Sequence, residues 1–391
     1  MTTGTGPTAA PGGPPGRLPS LTGLRAVFAY CVLLCHTSSN SGFFEGGLGQ
    51  LLFSTQLIAG PAVGGFFVLS GYVLTWAHTA GDRPRAFWRR RFWKIFPNHA
   101  VAWSAVIGLF LVTGRPTPVV GVPGDQDAAD ALLGLFLLQS WAPDPEVYFS
   151  FNAPAWSISC EAFFYLLFPL LITRAVRLPR TALRAVWPAL AMLIAALPTV
   201  ALVFTGPPMD WLPVSPTAFW FVHAFPAVRI AEFALGAVTA RLVLRNAFPA
   251  VPRWLTGLLV VAAVAVVPLL PMTYAAGSLC AVPLALLIGA LATADAEGRS
   301  TVLARPVPVR LGEASFALYL VHLPVLLLVR ELIGAHTVLP VWGAAVATAI
   351  CTALAQGVAF LMHRAVEVPL QQRWARPRRV SLTVKQPKSR Q

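Results

Sequence analysis

Ten apolar runs, each about long enough to cross a lipid bilayer, limit what this chain can become more than any other feature. They cover roughly 21–38, 52–77, 95–113, 156–173, 185–205, 219–241, 254–271, 276–293, 314–333 and 340–363. A helix needs roughly 20 mainly apolar residues to span a hydrocarbon core about 30 Å thick. In lipid, backbone N–H and C=O groups must pair within the protein, so runs of this length read as helices. The sequence therefore predicts an all-α polytopic membrane protein with about ten transmembrane helices. Composition agrees: 56% of residues are hydrophobic, 11% are charged and the mean hydropathy is +0.68, whereas a soluble domain carries about 25% charged residues.

The net charge of +14 would suggest nucleic acid in a soluble protein. Its distribution argues otherwise. With the N-terminus inside, 25 of the 29 Lys and Arg residues fall on inner segments and one, Arg115, on an outer segment; Arg25, Arg229 and Arg330 lie within or beside spans. Cytoplasmic loops accumulate Lys and Arg, so the asymmetry predicts a multi-pass protein of the plasma membrane with both termini cytoplasmic and no nucleic-acid partner. The run 131–141 is too short to cross and reads as a re-entrant or interfacial segment, in an outer region with Asp125, Asp127, Asp130, Asp144 and Glu146. The domain reading is a disordered lead over 1–20, a transmembrane domain over 21–371, and a basic disordered tail over 372–391 near anionic lipid. The five cysteines fall in apolar runs and form no CxxC pair, so they read as small hydrophobes, with no disulfide and no metal.

The first run, LTGLRAVFAYCVLLCHTSSN, contains two costly residues, Arg25 and His36. Eleven residues make about three helical turns, ~16 Å, and return to the same face. Ionisable groups inside a membrane helix mark a functional interior by default, and a neutral imidazole is a competent general base near neutral pH. A packing histidine is the structural alternative. A second feature is the inner stretch 82–99, read as a loop, where Arg83, Arg85, Arg89, Arg90, Arg91 and Lys94 alternate with Phe87, Trp88, Phe92 and Trp93. Guanidinium groups bind phosphate bidentately and stack on rings, so this stretch suits a nucleotide-bearing donor, or a topogenic anchor.

In 152–169, Glu161 lies five residues into a span behind Trp156, Ser157 and Ser159. It reads as an orienting partner for His36, or as half of a structural ion pair with Arg229 or Arg25. The glycines of GGFFVLSGYVL, residues 64–74, permit close helix approach. Tyr319 and His322 share a helix face at i,i+3 spacing, as do Arg229 and Glu232, which most simply neutralise each other. His78, His99, His336 and His363 read as membrane-edge residues without function. Intramembrane Arg, His and Glu also build proton relays, which keeps a secondary transporter open as a reading, although no internal repeat of the usual transporter kind is present.

In order and spacing, several of these motifs resemble the membrane-bound acyltransferase-3 family: LTGLRAVFAYCVLLCH, GGFFVLSGYVL, RRRFWKIFP, WSISCEAFFYLLFPLL, RIAEFALGAVTARL, LGEASFALYLVHLPVL and HRAVEVPLQQR. The resemblance implies an acyl-CoA-dependent O-acyltransferase embedded in the lipid bilayer, with acyl-CoA as co-substrate, no permanently bound cofactor and a small hydroxylated acceptor. It implies His36 as the catalytic histidine, Arg25 as its companion, and Glu161 as the family's acidic residue. The donor motif Arg-x-x-Arg falls on Arg91 and Lys94, where Lys replaces the second Arg and gives a point charge instead of a planar fork; Arg89, Arg90 and Trp93 flank it. Trp156, Ser159, Tyr319 and His322 complete the expected binding set. The wording of NAPAWSISCEAFFYLLFP is more similar to the branch that acylates macrolides and related antibiotics. O-acetylation of a cell-surface glycan or lipid-linked sugar is the other acceptor reading. The oligomeric state is not legible.

Overall fold

The computed structural model describes residues 16–39, 41–44, 46–54, 56–114, 126–277, 279–334 and 337–375. Arg115, Asp125 and His336 lie outside these residues, as do 1–15 of the N-terminal lead and 376–391 of the basic tail. Among the described residues the structure is helical: α1 (Pro19–Ser39), α2 (Gly46–Ser54), α3 (Gln56–Trp76), α4 (Pro84–Thr113), α5 (Ala128–Leu135), α6 (Pro145–Tyr148), α7 (Trp156–Arg177), α8 (Arg180–Ala201), α9 (Pro216–His223), α10 (Pro226–Leu244), α11 (Arg253–Val266), α12 (Met272–Ala275), α13 (Ala281–Ala296), α14 (Pro306–Glu313), α15 (Ser315–Ile333), α16 (Val341–Met362) and α17 (Val368–Leu370).

Seven of the helical stretches are long and apolar enough to cross a membrane: α1, most of α3, α4, Ala153–Arg177, α8, α15 and Val341–Ala375. The other three expected spans are also helical. α11 and α13 are shorter, and α10 carries Arg229, Glu232 and Arg241. The inner helices are α1, α3, α10 and α15, whose faces are largely buried, while α8 and α16 turn apolar side chains such as Met192, Leu193 and Val346 outward. Outward apolar residues are what a lipid-facing helix requires, because the surrounding solvent is itself hydrocarbon.

The stretch 82–99 is not a loop. α4 begins at Pro84, takes Pro at its first turn and runs unbroken through Pro97 to Thr113, where Gly114 caps it in the left-handed region (φ +67°). Proline suits a helix start because its missing N–H is an orphan there anyway, and nothing between Pro84 and Pro97 breaks the helix. The basic and aromatic side chains therefore project from helical turns at fixed angles. The chain also stays helical to Ala375 through two π-helical stretches, His363–Glu367 and Gln371–Ala375, past the expected boundary at 371.

The short outer run forms α5 and the 3₁₀ turn Gln139–Trp141. Asp127 caps α5 in a reciprocal box, accepting from the Ala129 and Asp130 N–H groups, while the Asp130 carboxylate accepts from the Asp127 N–H. This segment folds inward onto the helices: Ser159 Oγ donates to Leu137 O (2.6 Å), Ser140 Oγ to Trp156 O (2.8 Å) and Trp220 Nε1 to Ser140 O (2.9 Å).

α3 and α10 cross at close range. A Cβ at Gly71 would stand 1.9 Å from Phe233 O, and one at Gly236 would stand 1.9 Å from Val68 O. Small residues at such crossings let backbones approach closely, as the Gly-rich sequence of α3 leads one to expect. The buried pair Arg229–Glu232 (3.2 Å) sits beside this crossing, close to Gly64, in the mutual neutralisation that the i,i+3 spacing suggests.

Candidate active site

α1 carries its two ionisable residues to two different cavities, one on each side of Tyr319. His36 lines an outer cavity of about 120 Å³ and Arg25 an inner one of about 130 Å³; Val63 and Tyr319 line both.

In the outer cavity His36 Nδ1 lies 2.8 Å from His322 Nε2, with the rings stacked at 5.1 Å and 20°. His322 is buried, and its Nδ1 lies 3.3 Å from Leu318 O. A carbonyl only accepts, so in the neutral pair His322 Nδ1 carries a proton and its Nε2 is an acceptor. His36 Nδ1–H must then donate to it, which leaves the lone pair of His36 on Nε2. Tautomers are assigned from the hydrogen-bond network in this way, and this network makes Nε2 the accepting nitrogen of neutral His36. Nothing in α1 alone identifies His322 as the partner; the two residues are 286 positions apart.

The inner cavity collects charge. Arg25, Arg91, Lys94 and Glu161 line it, together with Ser70, Ser157 and Tyr165. Glu161 accepts from Tyr165 Oη (3.1 Å), and Tyr165 in turn accepts from Ser70 Oγ (3.0 Å). The Arg91 guanidinium lies over the Phe87 and Tyr165 rings at 5.7 and 5.9 Å. Lys94 pairs with Glu367, whose other oxygen accepts from Asn98 Nδ2 (3.0 Å) and lies 3.3 Å from His363 Nδ1. His363 thus belongs to this ion-pair cluster, and His99 is buried with Nε2 3.0 Å from Gly134 O; both hold structure.

The expected contact between Glu161 and His36 is not made. Glu161 faces Arg25, Arg91 and Lys94, and its hydrogen bond goes to Tyr165. The reason is depth. The stretch before α7, with Asn152, Pro154 and Ala155, is itself buried, so α7 starts inside the protein and Glu161, five residues along it, lines the same cavity as Arg25.

The other expected residues separate. Tyr319 Oη bridges Ser157 Oγ (2.8 Å) and Pro154 O (3.2 Å) on the partition between the cavities. Trp156 lines the outer cavity. Ser159 is committed to Leu137 O and lines neither cavity. Of the basic stretch, only Arg91 and Lys94 reach the inner cavity. Arg90 pairs with Asp82, Arg89 is exposed, and Trp93 stacks on Trp374 at 5.6 Å. Helical periodicity explains this: residues three apart share a face and adjacent ones do not.

Gln56, Tyr165 and His223, which line these cavities, and Glu367, which pairs with Lys94, escaped the sequence reading. Tyr165 was findable, since it lies one turn beyond Glu161 on the same face. Glu367 lies within the HRAVEVPLQQR motif, but its pairing with Lys94 needs the tertiary fold. Among the described residues, no group of three or more His, Cys, Asp or Glu side chains gathers as a metal site would require.

The acyltransferase domain family matches residues 18–361. The chain is 37% identical over 373 residues to "Acyltransferase MdmB" of Streptomyces mycarofaciens, covering 93% of this chain and 94% of that protein. It is 28% identical over 172 residues to "O-acetyltransferase OatA" of Staphylococcus aureus, covering 41% of this chain and 25% of that protein. A similar match, 27% over 186 residues, is to "Peptidoglycan O-acetyltransferase OatA" of Listeria monocytogenes, 43% of this chain and 27% of that one. No solved structure matches. With a family match over most of its length and a relative similar end to end, the chain belongs to the acyltransferase-3 family of membrane proteins.

Proposed function

We propose that this protein is a plasma-membrane O-acyltransferase that moves a short acyl group from acyl-CoA to a hydroxyl of a secondary metabolite, a macrolide or its sugar. In this reading ten helices cross the bilayer and both termini are cytoplasmic. The observation that carries it is the hydrogen-bonded chain Leu318 O, His322, His36, which leaves the His36 Nε2 lone pair as a base on the outer cavity.

The donor phosphates bind the cationic inner cavity, where Arg91 offers a planar fork and Arg25 and Lys94 add charge. The thioester arm passes Tyr319 toward His36. His36 Nε2 removes the proton of the acceptor hydroxyl as that oxygen attacks the thioester carbonyl. The C–O bond forms, the C–S bond breaks, and the departing thiolate takes the proton back from the imidazolium. CoA leaves as the thiol and His36 returns neutral. During the step the imidazolium is stabilised through Nδ1–H by the His322 acceptor, the role an orienting partner plays in hydrolytic triads. Glu161 balances the positive charge of the inner cavity. O-acetylation of a surface glycan is the second reading, favoured by the similarity to the OatA proteins over 41% of the chain.

The test is incubation of the purified protein with acetyl-, propionyl- and isovaleryl-CoA and a panel of macrolides and glycans, with mass spectrometry of the products. An acylated macrolide with stoichiometric free CoA is expected. An acylated glycan alone would select the second reading, and no product from any acyl-CoA would overturn both. In the same assay Arg91→Ala is expected to raise the donor KM about 10- to 100-fold, the loss of a charge-assisted phosphate contact of roughly 1.5–3 kcal/mol, while the acceptor KM stays within about twofold.

A further inference from the structure

The outer cavity holds more polar chemistry than proton removal needs. Two polar residues line it besides the His36 base and the bridged Tyr319: Gln56, at the start of α3, and His223, at the end of α9. Gln56 Nε2 is buried and has no hydrogen-bond partner among the described residues. A buried amide donor left unpaired costs about 1–3 kcal/mol, so such an atom beside a cavity marks the place of an oxygen that none of the described residues supplies. The His223 ring is held by stacking, 4.4 Å from Trp156 and 4.6 Å from Phe219, the latter nearly parallel at 15°. Stacking fixes the ring plane and leaves its nitrogens for a ligand.

The walls narrow the ligand class. Phe149, Trp156, Trp211 and Phe219 line the cavity, and among the described residues no Lys, Arg, Asp or Glu does, in contrast to the inner cavity. A phosphate or carboxylate would find no counter-charge here and would lose its hydration. A molecule with C–H faces and oxygen-bearing edges meets aromatic planes on its faces and sparse hydrogen-bonding groups at its rim, the usual pattern of a small-molecule site.

We propose that the outer cavity is the acceptor site, that it takes an uncharged hydroxylated ring compound of the glycoside class, and that Gln56 and His223 are its acceptor-binding residues. The proposal rests on the reading of His36 as the base of acyl transfer. Gln56 Nε2 donates to a ring or hydroxyl oxygen, and His223 bonds a second hydroxyl, so that the reacting hydroxyl is turned toward His36 Nε2.

The test uses the full-length protein in lipid nanodiscs, as wild type, Gln56→Leu and His223→Phe. Leu keeps side-chain bulk and Phe keeps the stack, so each variant removes mainly hydrogen bonding. One arm measures binding of phenyl β-D-glucopyranoside without acyl-CoA, through the fluorescence of tryptophans such as Trp156 and Trp211. The other measures acyl-transfer kinetics with the best acceptor. Saturable glycoside binding is expected in the wild type and about tenfold weaker binding in each variant, with a similar rise in acceptor KM and a donor KM within twofold. Equal binding in all three proteins, or a rise in donor KM alone, would overturn the proposal. The binding arm needs no turnover. Glycoside binding weakened in the variants of a protein that transfers no acyl group would uphold the site and sink the acyl-transfer reading. Acyl transfer that depends on His36 but ignores both variants would do the reverse.

Discussion

Replacing His36 with alanine is expected to lower acyl transfer by about two to four orders of magnitude, the usual contribution of a positioned general base. The loss should fall on kcat, with donor KM within about twofold, because in the proposed mechanism the donor charges meet Arg25, Arg91 and Lys94, which line the other cavity. CoA release followed with a thiol reagent measures the rate, and the thermal midpoint in detergent checks that the half-buried position tolerates the change. Near-normal turnover would remove His36 from the mechanism. His322 offers a sharper version of the test. His322→Ala leaves His36 Nδ1 without its acceptor, so the imidazole is free to place its proton on Nε2, the wrong nitrogen. A loss of about 10- to 100-fold is expected, in the range seen when groups that orient a histidine are removed. His322→Gln should recover part of it, because a side-chain amide oxygen accepts from Nδ1–H as His322 Nε2 does. A merely structural His322 would show no such rescue.

The second large effect is expected at the crossing of α3 and α10. In Gly71→Ala and Gly236→Ala the new methyl meets backbone oxygen at 1.9 Å, a clash that no rotamer change relieves. Each should destabilise by at least about 3 kcal/mol, the upper end of ordinary overpacking costs. The two sites share one interface, so their effects should not add. Thermal unfolding in detergent measures this. Gly257→Ala is the control: nothing lies within 4 Å of its would-be Cβ, and a helical Gly→Ala change in open space gains up to about 1 kcal/mol from propensity. Midpoints that fall equally at all three glycines would mean that the crossing has no special role. Transfer activity should fall with the crossing variants, because α3 also supplies Gln56, Val63, Phe66 and Ser70 to the two cavities.

The helical content of this chain is legible because a membrane allows so few alternatives. An apolar run of about twenty residues has one way to satisfy its backbone, and each expected span contains a helix in the structure. Arg25 and His36 were legible for a related reason: their cost in lipid makes them conspicuous, and both reach cavities. Partners were not legible. His322 and His36 meet because α15 packs against α1, which no local pattern encodes. Of the two partners the sequence offers Glu161, His36 and an arginine, the fold places it in one cavity with Arg25 and away from His36. His223 went unnoticed since an aromatic run such as FWFVH looks like an interfacial belt until its ring is seen between Trp156 and Phe219.

Because one rigid helix carries both Arg25 and His36, α1 is a ruler. Eleven residues at 1.5 Å set about 16 Å between the inner charge and the base, and neither end can be adjusted without the other. In the proposed reaction the protein therefore measures its donor: the stretch between phosphate and thioester must match the length of α1 from one cavity to the next. A donor with its acyl group close to its phosphates would reach Arg25 and stop short of the base. One residue inserted between 25 and 36 would swing His36 about 100° around the helix, off His322 and out of its cavity. Selection of the donor is then written into the pitch of a helix as much as into the groups that touch it.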